Sequence, residues 1–124
     1  MYRFPPNEIN LKSLSLILTG SQLYYDMEVD TRDATKFGRR LTGPIGLDGL
    51  YRKGELTYHG FNDRFEGLPR VSVVKGTWKD DYTFVIDRLI LGQGPAEQWT
   101  LTFDGENLNV VVDGRVFADG KTGG

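Results

Sequence analysis

At 124 residues, 39% hydrophobic and 26% charged, the sequence has the size and balance of one soluble domain with a single core. A formal net charge of -2 and a pI near 5.3 leave no basic stripe to displace counterions from phosphates, so no nucleic-acid partner is expected. The absence of cysteine removes thiol nucleophiles, thiolate metal sites and disulfides, and leaves the compartment open.

Residues 1–10 carry Pro5-Pro6, no basic start and no apolar run. They read as an extended lead-in or linker, with neither a signal peptide nor a membrane span. In the first hairpin, Leu14, Leu16 and Leu18 alternate inward, Gly20-Ser21 supplies a two-residue turn, and Leu23, Tyr25, Met27 and Val29 return. That turn sets Leu18 opposite Leu23 and Leu16 opposite Tyr25. Thr35 to Thr42 reads as a polar strand and Gly43-Pro44-Ile45-Gly46 as a break, followed by short strands at Leu47 to Lys53 and Glu55 to Phe61 around Gly54. Val71 to Lys79 is strand-like, and Asp80-Asp81 turns it into Tyr82, Phe84 and Ile86. Beyond Ile86 the natural inward continuation is Leu89 and Leu91 rather than Arg88 and Ile90, which predicts a β-bulge near Asp87-Arg88.

The cleanest unit is the last hairpin: Trp99, Leu101 and Phe103, a turn at Asp104-Gly105-Glu106-Asn107, then Leu108, Val110 and Val112. Its register sets Phe103 opposite Leu108 and Leu101 opposite Val110, with every large side chain on one face. No convincing amphipathic helix interrupts this period of two. The expected fold is all-β, an antiparallel meander of about eight or nine strands over residues 1–124, with Gly54, Gly76 and the bulge supplying the curvature that closes a barrel.

Chemistry-bearing motifs are sparse. Ser72-Val73-Val74-Lys75 is an S-x-x-K and Lys121-Thr122-Gly123 a K-T-G, the fragments used by serine β-lactamases and penicillin-binding proteins. An S-x-x-K works on a helix turn, where the serine and lysine share a face. In a β-branched strand they point to opposite faces, so neither is assigned a catalytic role. The single histidine, His59, has no serine or carboxylate partner nearby in sequence. No calcium-loop spacing is present, and no metal ligand or cofactor is expected. The stretch Gly60 to Arg70 is the longest irregular one and carries Phe61, Phe65 and Leu68, which suit either a contact surface or a plug over the core.

Gly46-Leu47-Asp48-Gly49-Leu50-Tyr51-Arg52, Gly76-Thr77-Trp78-Lys79-Asp80-Asp81-Tyr82-Thr83-Phe84-Val85-Ile86 and Leu101-Thr102-Phe103-Asp104-Gly105 with Val110-Val111-Val112 resemble a known module. It is the carboxyl-terminal domain of bacterial serine hydrolases of the β-lactamase-related family, with its "GLDG-Y-R", "G-W-D-D-tF-v" and "LTFDG" turns. The resemblance implies a lipocalin-like barrel attached to a hydrolase domain in the same parent chain and not catalytic itself. It assigns no functional residues. Lipocalins proper carry their Gly-x-Trp near the beginning, whereas Gly76-Thr77-Trp78 lies mid-chain.

Three readings follow. The first is a non-catalytic accessory module that contacts a serine hydrolase through Phe61 to Leu68 and the lead-in Tyr2 to Pro6. The second is a stand-alone binder of a small apolar ligand, with Trp78, Tyr82, Phe84 and Trp99 lining the barrel. The third, a small enzyme, has the least behind it.

Overall fold

The computed structural model describes residues 1–29, 39–57, 70–90 and 96–122. They form ten strands and no helix: β1 (Tyr2–Arg3), β2 (Leu11–Thr19), β3 (Gln22–Val29), β4 (Arg39–Ile45), β5 (Arg52–Thr57), β6 (Arg70–Asp80), β7 (Thr83–Ile90), β8 (Glu97–Asp104), β9 (Asn107–Val112) and β10 (Val116–Thr122). All belong to one sheet in the order β4-β3-β2-β1-β10-β9-β8-β7-β6-β5. Every ladder is antiparallel, and the sheet curls until it is nearly closed into a barrel. The strand count exceeds the sequence estimate because Tyr2–Arg3 pairs with both β2 and β10, and because Val116–Thr122 adds a strand after the last hairpin.

Tyr2–Arg3 is therefore a strand of the barrel, and residues 4–10 run between it and β2. Asn7 makes this possible: its Oδ1 accepts from the amides of Ile9 and Leu11, while its Nδ2 donates to the carbonyls of Pro5 and Leu11. One amide side chain thus replaces the backbone partners that a turn containing two prolines lacks. Ile9 is buried behind it, and Tyr2 and Phe4 pack against the core.

Both hairpin registers come out as read. Leu18 faces Leu23 and Leu16 faces Tyr25; Phe103 faces Leu108 and Leu101 faces Val110. The first turn residue, Gly20 or Gly105, has positive φ in each case. Inward parity is not the same as burial, however: Leu14 is buried while Leu18 lies exposed where the strand outruns the core. A register shift between Leu11 and Ser13 lets Leu11 and Leu14, three apart, both turn inward.

The middle of the chain departs more from expectation. β4 continues through Gly43-Pro44-Ile45 instead of breaking there; it is the last strand in its half of the sheet, so the missing amide of Pro44 costs no central ladder bond. Residues 47–50 are bends rather than strand, and β5 runs across Gly54 with a register shift between Lys53 and Leu56. The expected bulge near Asp87-Arg88 is absent. The β6–β7 register runs unbroken from Ser72 opposite Ile90 to Trp78 opposite Phe84, and the irregularity lies between Trp78 and Asp80.

The two sheet edges meet through Gly46. Its amide donates to the Val74 carbonyl (3.1 Å) and its carbonyl accepts from Gly76 (2.8 Å), forming an isolated parallel bridge to β6. A Cβ on Gly46 would collide with the Leu50 carbonyl, and one on Gly76 with the Phe84 ring and Ile45. Gly76 thus leaves room at the seam for Ile45 and the Phe84 ring, and Gly46 leaves room for the turn that follows it.

Candidate functional site

Alternating strand directions give the barrel two ends. The connections β2–β3, β4–β5, β6–β7 and β8–β9 lie at one end, called here the hairpin end; β7 finishes and β8 starts at the other. Among the described residues, the large exposed hydrophobics include Leu18, Leu47, Leu50, Trp78 and Tyr82, all carried by connections or strand tips at the hairpin end. A run of rings closes that mouth. Trp78 lies 4.9 Å from Phe84 and 5.9 Å from Phe103, whose ring is 5.9 Å from Tyr2, centroid to centroid. Phe84 is fully buried at the base of this run, while Trp78 is 52% exposed at its top.

The β4–β5 connection is held by charge. Asp48 accepts from the Leu50 amide (3.2 Å) and pairs with the Arg52 Nη2 (2.7 Å), and the Lys75 ammonium sits 4.6 Å from the centre of the Tyr51 ring. The Arg52 hydrogen bond, then the Leu50 amide, holds the Asp48 carboxyl below its ordinary range. A depressed folded-state value stabilises the folded turn above the unfolded value, and that contribution is lost as pH falls through the folded one. Carboxyl titration by NMR should give Asp48 a midpoint below that of an unstructured aspartate, and Arg52→Gln should raise it. An unchanged midpoint in the variant would dissociate Arg52 from the turn. Asp80 is lowered in the same direction by the Tyr82 amide that it accepts from in the β6–β7 turn.

The sequence-derived site residues are split by the structure. Phe61, Phe65 and Leu68, and with them His59, lie outside the described residues. Trp99 is buried in the core opposite Ile86 and Val112. Tyr82 is 66% exposed in the β6–β7 turn. Of the four expected lining residues, then, Phe84 and Trp99 face inward, Trp78 caps the mouth, and Tyr82 stands in solvent. Ser72 and Lys75 lie on opposite faces of β6, as the strand reading requires: Ser72 is buried with Val74 and Gly76, while Lys75 turns out toward Tyr51. Lys121 and Thr122 are exposed at the tip of β10.

Sequence reasoning missed Arg88. Because β7 keeps its phase, Phe84, Ile86 and Arg88 all point inward, and Arg88 is only 1% exposed. Glu97, directly opposite on β8, receives a 2.8 Å hydrogen bond from its Nη1. The signal was present as one acid and one base flanking a short connection, which an antiparallel pair can bring opposite each other.

Among the described residues there is no group of three or more His, Cys, Asp or Glu that could hold a metal, and no helix long and apolar enough to cross a membrane. No protein-family model matches the chain, and comparison with curated proteins and with solved structures gives no match either.

Proposed function

We propose that the chain is a non-catalytic accessory or interaction module, working beside a β-lactamase-related serine hydrolase domain of the same parent chain and docking through the hairpin end of its barrel. The observation that carries this is the gathering of Leu18, Leu47, Leu50, Trp78 and Tyr82 at one mouth, on three successive connections. Isolated surface hydrophobics are ordinary; several converging on one rim are a contact surface. The turns that form this rim, Gly46 to Arg52 and Trp78 to Thr83, are also the segments that carry the resemblance to the hydrolase-appended module. A stand-alone carrier of a wholly apolar ligand lined by Trp78, Tyr82, Phe84 and Trp99 has less behind it, since Trp78 and Tyr82 stand largely outside the barrel and a charged pair, Arg88–Glu97, occupies inward positions.

The test uses the parent reading frame, in which an upstream domain with a helical S-x-x-K and a Tyr-x-Asn is expected. With that domain expressed separately, the Leu50→Ser/Tyr82→Ser variant should weaken docking by about tenfold or more, as loss of interface anchors does. Its own unfolding should move by only about 0.5 kcal/mol per substitution, because both side chains are exposed at home. Undiminished docking by this variant would remove the hairpin end from the interface, and an upstream frame without a hydrolase would remove the partner.

A further inference from the structure

Arg88 has more hydrogen-bonding capacity than the barrel uses. Its Nη1 is committed to Glu97, but Nε and Nη2 are buried and have no hydrogen-bond partner among the described residues. These two nitrogens share one edge of the guanidinium plane, where their N–H bonds run side by side at the spacing of two carboxylate oxygens. A buried donor pair left open in this way costs stability unless something occupies it. The group also lies toward one end of β7 and β8: Glu97, at the first position of β8, keeps 25% of its side chain exposed.

We infer that the free edge of Arg88 is a binding site for the carboxylate of a small organic acid, entering at the end of the barrel where β7 finishes and β8 starts. The neighbouring inward positions favour an acid with an apolar body. Val74 lies directly opposite Arg88 on β6, Ile86 precedes it on the same face of β7, and Trp99 follows Glu97 on the same face of β8. Ser72, buried on the same face of β6 as Val74, is the nearest inward hydroxyl position along that strand. In the complex the ligand's two oxygens accept from Nε and Nη2 while Glu97 keeps Nη1, so each of the three guanidinium nitrogens has a partner. The Glu97 carboxylate then opposes the ligand's charge, which makes its removal a diagnostic change.

The probe is octanoate, with octanol, acetate and inorganic phosphate as comparisons, titrated into the whole chain while the Arg88 Nε–H resonance is followed by NMR. Octanoate should saturate at one equivalent and shift that resonance. Octanol should bind at least about tenfold more weakly, because it cannot fill the paired donors. Arg88→Lys, which keeps the charge but loses the planar fork, should weaken octanoate by about tenfold or more. Glu97→Gln should tighten it, and octanoate should raise the melting temperature of this variant more than that of the unaltered chain. Octanoate that fails to saturate, leaves the Arg88 Nε–H unmoved, or binds Arg88→Lys equally well overturns the inference. Phosphate or acetate binding more tightly than octanoate overturns the ligand class. Should either variant fail to fold, the resonance shift in the unaltered chain decides alone.

Discussion

Trp99→Ala is expected to lower the stability of the chain by about 3–5 kcal/mol, as aromatic-to-alanine changes in packed cores do. The position explains the size of the loss. Trp99 is 1% exposed and sits in register between Ile86 on β7 and Val112 on β9, so one truncation empties space shared by three consecutive strands. Those strands are held by their ladders at fixed spacing and cannot collapse into the void without breaking register. A loss of this size is a large share of the roughly 5–15 kcal/mol that holds an average domain together. Urea unfolding should show the midpoint falling with the slope nearly unchanged. A loss below about 1 kcal/mol, the range of ordinary surface changes, would place Trp99 outside the core.

Gly76→Ala should be the second most damaging small change, at about 1–3 kcal/mol, although it adds a single methyl group. That methyl would enter the Phe84 ring on one side and the Ile45 side chain on the other, both fully buried. Strand and ring cannot both yield, because the Gly76 amide is tied to the Gly46 carbonyl across the seam while Phe84 is wedged beneath Trp78. A double-mutant cycle with Phe84→Leu checks the cause. If the clash is with the ring, the combined variant should be less destabilised than the sum of the two single changes by about 1 kcal/mol, within the range for contacting residues. Strict additivity would move the cost of Gly76→Ala to the seam backbone instead.

What could be read from the residues was the part governed by local geometry. A two-residue turn fixes which positions face each other, and alternation fixes which face is apolar, so the Gly20 and Gly105 hairpins followed directly. Three features depended on residues distant in sequence. Arg88 was placed outward because charged side chains usually are, and only a partner opposite it on β8 makes the inward phase affordable. The seam at Gly46 depends on a ring belonging to β7 and on a parallel contact that no local pattern announces. The incorporation of residues 2 and 3 depends on β10, near the far end of the chain. The candidate site divides along the same line. Trp78 and Tyr82 were singled out as aromatics, but their exposure follows from how far β6 and β7 extend past the packed layer, which alternation does not encode.

The order of the strands also bears on how the barrel assembles. β2 to β4 and β5 to β10 are each a run in which every strand pairs with its neighbour in sequence. Within these runs no connection exceeds twelve residues, and closing loops of that length costs less chain entropy than joining the two ends of the chain. Two junctions are different in kind: β1 against β10, and Gly46 against β6. The first joins residues separated by almost the whole chain, so its entropic cost is incurred before many contacts compensate for it. The two meanders are thus free to form early and independently. Docking of the two-residue β1 between them is expected to come late, so substitutions at Tyr2 should show on the unfolding limb of the chevron rather than the folding limb.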